Sequence, residues 1–567
     1  MKNLLKFFIL TLFLTTTHTS KAQNFIWAKA MGGTSYDSSF SIVTDAAGNV
    51  YTTGFFSGTV DFEPGTGITN LTSFGSEDIF ISKLDNFGNF VWAKSIGGWA
   101  YDGGFSITTD AAGNIYLTGL FNQTVDFDPG PGTAYLSPGN EQNIFICKWD
   151  ASGNFVWVES IGGQDIQSAA FTATDAAGNV YLSSFFSGTI DFGAGPGAVS
   201  LTSAGQEDIF VCKLDAAGNF VWAKRTGGPQ GDGGTDIYPD AVGNVYSTGS
   251  FRGTVDFDPG SGTANLTSAG NSDIFIRKLD TAGDFVWAKS MGGQDNDSGR
   301  SISIDAAGTI YSTGSFRGTA DFDPGTGTHN LTSDGENDIF ISKLNAAGNF
   351  VWAKSIGGLN YEFALSNTTD TNGNVYITGK FIDTVDFDPG TGTHNLTSVG
   401  QEDFFVCQLD SLGNFVWAKT MGGSDDDGAI SMTADVAGNI YTTGYFMQTV
   451  DFDPGTGTHN LTSVGGRDIF ILKLTGTNMG IEDLTTTTQI NVYPNPTLGM
   501  VTINFDNYQG EKVKYTISDL TGKIVKQSSE VENNISVNLG NVSDGVYFLT
   551  VYNGNSRETY KIVKLDR

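Results

Sequence analysis

Ten positions after a recurring tryptophan the chain carries Asp37, Asp102, Gln167, Asp232, Asp297, Glu362 and Asp427, so six of these seven residues are carboxylates. Carboxylates repeated on one face could hold a cation, and calcium is the ion that favours several carboxylate and carbonyl oxygens. The densest acids are Asp295 with Asp297 and Asp425 with Asp427, which makes these four the weak metal candidates. A residue present in nearly every repeat is better explained by a role every repeat shares. Each acid is therefore expected to accept hydrogen bonds from backbone amides and fix its own loop. No cofactor is expected, with calcium the one ion to test.

Other candidates for chemistry are thinner. Asp126, Asp256, Asp321, Asp386 and Asp451 open an Asp-Phe-Asp-Pro-Gly motif that lacks the later ligands of an EF-hand, and turn chemistry ahead of Pro-Gly accounts for it. Beyond Ala22 the histidines are His329, His394 and His459, which share one phase of the repeat. A catalytic base is expected once, beside unlike partners, so these are not read as catalytic. No His-Glu-x-x-His, Gly-x-Ser-x-Gly or P-loop pattern occurs. Cys147, Cys212 and Cys407 also share one phase of the repeat, which separates them in space, so core filling is expected rather than disulfides or metal.

The elements that position these residues follow from the tryptophan itself. Trp27, Trp92, Trp157, Trp222, Trp287, Trp352 and Trp417 recur at one unvarying interval without insertion or deletion, which implies seven equivalent units. Each unit reads as four strands: Ser39 to Thr44, Asn49 to Phe56, Asp78 to Leu84 and Asn89 to Lys94 in the first. Asp45-Ala-Ala-Gly48 and Asp85-Asn-Phe-Gly88 suit hairpin turns closed by a left-handed glycine. Between the second and third strands, Thr59 to Thr72 suggests an inserted hairpin.

Such a sheet is apolar on both faces, Phe80 and Leu84 one way, Ile79 and Ile81 the other. Radial stacking buries both faces of every sheet, so an all-β, seven-bladed β-propeller is expected over residues 23–475. Asn24 to Lys29 lacks the strand that should precede it, and Asp468 to Leu474 lacks the one that should follow. Pairing these N- and C-terminal strands would close one blade. The Gly-Gly, Asp-Ala-Ala-Gly-Asn-Val-Tyr and Leu-Asp-x-x-Gly-Asn-Phe-Val-Trp segments resemble the bacterial SBBP β-propeller repeat over roughly residues 24–474. The resemblance implies the fold and leaves the function open, because propellers host both enzymes and binding scaffolds.

The full sequence has 30 basic and 61 acidic residues, a net charge of −31. Such a surface repels phosphate backbones and anionic lipid, which argues against nucleic-acid partners. Residues 1–22 read as a signal peptide: Lys2 and Lys6, an apolar run from Phe7 to Leu14, and small residues before cleavage after Ala22. No later stretch reaches the ~20 apolar residues of a transmembrane span. Residues 476–489 read as a polar linker, and 490–567 as a small β-sandwich of about seven strands. From Ile490 onward eight acidic and eight basic residues balance, so the acidity belongs to the repeats.

In that tail, Tyr493, Pro494, Asn495 and Pro496, then Gly522 and Lys523 within Asp519 to Val525, then Gly545 and Tyr547 within Asp544 to Leu549, and finally Lys561 to Leu565 resemble the type A sorting domain of type IX secretion in Bacteroidetes. The resemblance implies the type IX machinery as partner, and a secreted or outer-membrane surface-attached product. The expected function is a monomeric, non-catalytic binding or adhesion scaffold for an extracellular glycan or protein. The alternative is a polysaccharide-active lyase or hydrolase working at the acidic face.

Overall fold

The computed structural model describes residues 25–138, 142–163, 170–193, 199–475, 489–506, 513–519, 523–531, 535–553 and 556–565. The leader read over 1–22 and all of the linker except Gln489 lie outside them. Every regular element among the described residues is a β-strand, and none of them forms a helix long and apolar enough to cross a membrane. The chain divides into two compact units, Met1–Thr477 and Asn478–Arg567.

In the first unit the sheets are numbered one to seven along the chain. Sheet one runs Ser38–Thr44, Val50–Asp61, Asn70–Leu84 and Phe90–Ile96, each strand antiparallel to the next. Sheets two to six repeat this order, from Gly103–Thr109 through Phe415–Met421. Sheet seven has three consecutive strands, Gly428–Ala434, Ile440–Phe446 and Asp468–Leu474, and takes its fourth from the other end of the array: Phe25–Gly33 pairs with Asp468–Leu474 from Phe25↔Leu474 to Met31↔Ile469.

The hairpins owe their turns to one aspartate. Asp45 Oδ1 accepts the amides of Ala47 and Asn49 at 2.9 Å, its Oδ2 accepts the Asn49 side chain and the Tyr51 hydroxyl, and Gly48 closes the turn at φ +79°. That φ is open to glycine at little cost. The turn at Asp85 to Asn89 repeats the aspartate's two amide bonds and its bond to the asparagine side chain.

Both faces of each sheet are covered. Phe80 joins a buried cluster with Tyr441, Ile469 and Ile471 of sheet seven, while Ile79 and Ile81 join one with Ile107, Leu117 and Phe145 of sheet two. Like clusters join sheets two and three, three and four, four and five, five and six, and six and seven. Six of the seven tryptophans, all but Trp417, also reach forward: the Gly88 turn of sheet one lies against Trp27, and the Gly153 turn of sheet two against Trp92. Lys83 Nζ donates to the Ala151 carbonyl of the next sheet at 3.1 Å, and Lys473 of sheet seven does the same to Asn86 of sheet one at 2.9 Å.

The first strands are tied to one another by the same rule. Ser41 Oγ accepts the Ile107 amide, Ser106 the Thr172 amide, Ser301 the Asn367 amide, Ser366 the Met432 amide and Ser431 the Ile42 amide, at 3.1 to 3.3 Å. Asp236 takes the serine's place for Ile302 at 2.9 Å, and Phe171 has no such oxygen to offer.

The inserted hairpin straps neighbouring sheets together. Its Asp61 pairs with Gly32, and Val60 with Gly33, so it adds to the far end of the preceding sheet's last strand; Gly162↔Asp191, Gly227↔Asp256, Gly292↔Asp321 and Gly357↔Asp386 repeat the bond. Where histidine is present it helps seat the hairpin: the Nε2 atoms of His329, His394 and His459 lie 3.2 to 3.3 Å from the carbonyls of Ala353, Ala418 and Ala28.

Among the described residues the second unit has seven strands in a three-stranded and a four-stranded sheet, Gln489–Tyr493 to Ser556–Lys564. Val501, Ile503, Ile517, Leu549 and Ile562 fill the core between them.

Candidate functional site

The six acids that follow the tryptophans are buried latches. Asp37, Asp102, Asp297, Glu362 and Asp427 are 0 % exposed and Asp232 is 2 % exposed. Asp37 accepts the amides of Gly33 and Ser57; Asp102 those of Gly98 and Asn122; Asp232 those of Gly228 and Arg252; Asp297 those of Gly293 and Arg317; Asp427 those of Gly423 and Met447; and Glu362 that of Gly358, all between 2.6 and 3.1 Å. Each thus ties the Gly-Gly exit of one sheet to the next sheet, where five of the six also hold the end of the second strand. Burial raises these carboxyls, against the pull of the amides, to about 6 for Asp37 and Asp232 and about 7 for Asp102, Asp297, Glu362 and Asp427. Their oxygens are buried on these amides and are not presented to solvent. Gln167 lies outside the described residues.

Asp295 and Asp425 stand in the loops beside them, half-buried, and among the described residues no group of three or more His, Cys, Asp or Glu is placed to hold a metal ion. The Asp-Phe-Asp-Pro-Gly motifs act as amide caps: Asp126 Oδ1 accepts Asp128 and Ala134, and Asp451 Oδ1 accepts Asp453 and His459, at 2.7 to 3.2 Å. Cys147, Cys212 and Cys407 are free, buried thiols pushed up by burial.

Two sets of residues escape a strand-by-strand reading of the sequence. The first is a β-bulge in the first strand of six of the seven sheets. In sheet one the register jumps from Ser39↔Gly54 to Ser41↔Thr53, leaving Phe40 unpaired; the same jump isolates Phe105, Thr235, Arg300, Leu365 and Ile430. A bulge re-aims its extra residue. Here the chemistry of that residue changes from sheet to sheet although the surrounding strands hardly change. Phe40 and Phe105 stack at 4.9 Å and 9°, and Phe55 lies 5.5 Å from Phe40 and 6.0 Å from Tyr101. On sheets six and seven, Tyr361 and Phe363 are parallel, Lys380 stands 5.9 Å over Phe363, and Arg467 4.1 Å over Tyr445. On sheet five the same position is Arg300, whose side chain is exposed.

The second set opens the paired part of the third strands: Asp78, Asn143, Asp208, Asp273, Asp338, Asp403 and Asp468, all buried. Each carboxyl is seated on the first glycine of the following Gly-Gly pair. A Cβ added at Gly32, Gly97, Gly227, Gly292, Gly357 or Gly422 would lie 2.0 to 2.5 Å from that carboxyl carbon. The Gly-Gly pair that follows each of the seven tryptophans was the available signal for this contact.

In the second unit the proline motif grips the last strand. Asn495 Nδ2 donates to the Lys561 carbonyl at 2.6 Å and its Oδ1 accepts the Val563 amide at 2.8 Å, with cis bonds before Pro494 and Pro496. Tyr547 donates to the Ser543 carbonyl at 2.7 Å, Asp519 accepts the Lys523 amide at 3.1 Å, and Gly545 takes φ +153°. Gly522 lies outside the described residues. Thus two motifs 66 residues apart are parts of one interlock.

Residues 491–565 match the family described as the secretion system C-terminal sorting domain. The chain carries a type IX sorting tail. It is a tail of secreted or cell-surface proteins. An uncharacterized WD repeat-containing protein of Acanthamoeba polyphaga mimivirus is 25 % identical over 509 residues, covering 75 % of this chain and 36 % of its own length. The regulatory protein FlaEY of Caulobacter vibrioides is 25 % identical over 239 residues, 39 % of this chain and 23 % of its own. The chain therefore spans about a third or less of these relatives. Among solved structures, the extracellular domain of a hybrid two-component system from B. thetaiotaomicron aligns at 10 % identity with a TM-score of 0.18, covering 94 % of this chain and 100 % of that one.

Proposed function

We propose that the seven sheets form a closed seven-bladed β-propeller of SBBP type, exported by type IX secretion and serving outside the cell as a non-catalytic binding or adhesion scaffold. The cores shared by each sheet and the next, and the first-strand links that are made at every junction but the one at Phe171 and return from sheet seven to sheet one, support the closed ring. The viral relative described as WD repeat-containing points the same way. No cofactor is invoked, and the ring works as a monomer.

The observation that carries the binding reading is the bulge series. Near-identical strands meet around the propeller axis, yet Phe40, Phe105, Thr235, Arg300, Leu365 and Ile430 differ in size and charge. A purely structural ring has no use for that difference, whereas a recognition surface needs it. The aromatic arc of Phe40, Phe55, Tyr101 and Phe105 offers flat apolar faces, and Lys380 and Arg467 add cations beside further rings. Aromatic faces beside polar tips suit the mixed surfaces of a sugar ring or a peptide.

A glycan-array and peptide-array screen of the chain lacking its leader and tail tests this, followed by product analysis on every hit. Retention that falls in Phe105→Ser with no product released supports the scaffold. Release of a cleaved product replaces the scaffold with the polysaccharide-active enzyme. Retention unchanged in both Phe105→Ser and Arg300→Ser removes the axis as the site.

A further inference from the structure

Each buried strand acid has a partner among the latch acids of the loop that follows it: Asp78 with Asp102, Asp208 with Asp232, Asp273 with Asp297, Asp338 with Glu362, Asp403 with Asp427, and, across the ends of the array, Asp468 with Asp37. The backbone forces the two together. The amide of Asp102 donates to the carbonyl of Glu77, the residue before Asp78, at 2.9 Å, and that of Asp37 to Arg467, the residue before Asp468, at 2.8 Å; the other four pairs repeat the bond. The strand carboxyl rests on the first glycine of the Gly-Gly pair, and the latch carboxyl accepts the amide of the second.

One oxygen of the strand acid is satisfied. Oδ2 accepts the amide four positions earlier, from Phe74 to Asp78 at 2.9 Å through Val464 to Asp468 at 2.9 Å. Its other oxygen is not: Oδ1 of Asp78, Asp208, Asp273, Asp338, Asp403 and Asp468 is buried without a hydrogen-bond partner. A buried ionised oxygen with no donor costs several kcal/mol, on the order of the desolvation of a charge, and is commonly avoided by taking up a proton.

The chain contains its own control. In the one repeat where the strand acid is an amide, Asn143, the residue at the matching latch position is also an amide, Gln167. Both acids change together, into the neutral side chains that most closely resemble protonated carboxyls. A pair that served as two anions would not tolerate that double exchange. We infer that each of the six carboxyl pairs holds a proton between sheets at neutral pH, so that the repeat unit is clamped by a set of proton-dependent locks that tighten in weak acid and loosen in weak alkali.

Burial raises Asp78, Asp273, Asp37 and Asp232 to about 6 and Asp338, Asp468, Asp102, Asp297, Glu362 and Asp427 to about 7, and it raises Asp208 and Asp403 as well. The charged groups facing the pairs push mostly the same way: Asp334 beside Asp338 and Glu362, Asp295 beside Asp297, Asp425 beside Asp427. Arg225 beside Asp208 and Arg252 beside Asp232 oppose it in one pair. A carboxyl whose folded value lies above its unfolded value contributes stability that is complete below the unfolded value and is lost as pH rises through the folded one. The window therefore runs from about pH 4, where the unfolded carboxyls titrate, to just above pH 7, where the folded ones do, and stability falls across it.

The test is the thermal midpoint of the full mature chain in calcium-free buffer from pH 5 to pH 8, with a carboxylic-acid carbonyl band sought by infrared at pH 7. The midpoint should fall as pH rises, and Asp78→Asn with Asp102→Gln, copying Asn143 and Gln167, should flatten that slope and weaken the band. Each proton released corresponds to a tenfold change in the folding constant per pH unit. A midpoint that rises or stays level from pH 5 to pH 8, or an unchanged slope in the amide variant, overturns the proposal. So does a calcium-dependent rise in midpoint at pH 8 that the amide variant loses, since the pairs would then hold a cation. Were the variant not to fold, the absence of the infrared band in the native chain would overturn it.

Discussion

The hairpin turns and the first-strand bulges repeat with the same period and differ in what the repetition keeps. At the turns, Asp45 and Asp85 make the same amide bonds, and the lysine–tyrosine contact of Lys83 over Tyr51 at 4.8 Å recurs as Lys148 over Tyr116, Lys343 over Tyr311 and Lys473 over Tyr441. At the bulges, the backbone irregularity is kept while its side chain runs from phenylalanine to arginine. Where a residue's partners are the chain itself, repetition preserves it. Where the partner lies elsewhere, only the backbone that aims it is preserved.

Breaking the uniform frame should produce the largest effects. Deleting Phe25–Gly33 leaves sheet seven with an open edge and strips the Trp27 and Met31 contacts from sheet one; a calorimetric scan should lose its cooperative transition for the repeat unit. Phe80→Ala removes a fully buried ring shared by sheets one and seven and should cost about 3–5 kcal/mol in denaturant unfolding. Arg277 is the place where the frame departs from itself. It is 1 % exposed, its guanidinium bonds only the Thr226 and Ser247 hydroxyls, and its Nε has no partner, whereas the same position in sheet seven is Leu472. Arg277→Leu should stabilise the unit by about 1–4 kcal/mol, read as a higher denaturant midpoint. The variable positions should respond least: Phe40→Ser should change stability by about 1 kcal/mol or less, the size of one aromatic pairing, while lowering retention of any ligand found on the arrays.

Much of this comparison was open to inspection in the sequence. Strands, turns and the incomplete end segments follow from apolar alternation, Asp-x-x-Gly spacing and a period that never slips. The bulges were hidden because one extra residue, Phe40 in Ser39 to Thr44, looks like another half-buried strand position when no partner strand is in view. The inward turn of the latch acids was hidden for a related reason: Asp37 lies in an acidic loop, and only its contact with the Ser57 amide, 20 residues away, shows that it closes a joint. The hairpin's bond from Asp61 to Gly32 joins two different repeats, which no single repeat can reveal. Beside the Gly-Gly pairs, the strand acids had a second legible sign, the joint exchange to Asn143 and Gln167, and it becomes meaningful only once Asp78 and Asp102 are known to be neighbours.

Because sheet seven borrows Phe25–Gly33, the segment that is copied and the sheet that folds are out of phase. A duplication or loss of one whole period, cut anywhere inside the array, still leaves one strand at the start and three at the end. Gene-level changes in repeat number can thus alter the number of sheets without leaving an orphaned one. His329, His394 and His459 set repeats five, six and seven apart from the other four, and an array that gained or lost such whole units would keep every joint intact.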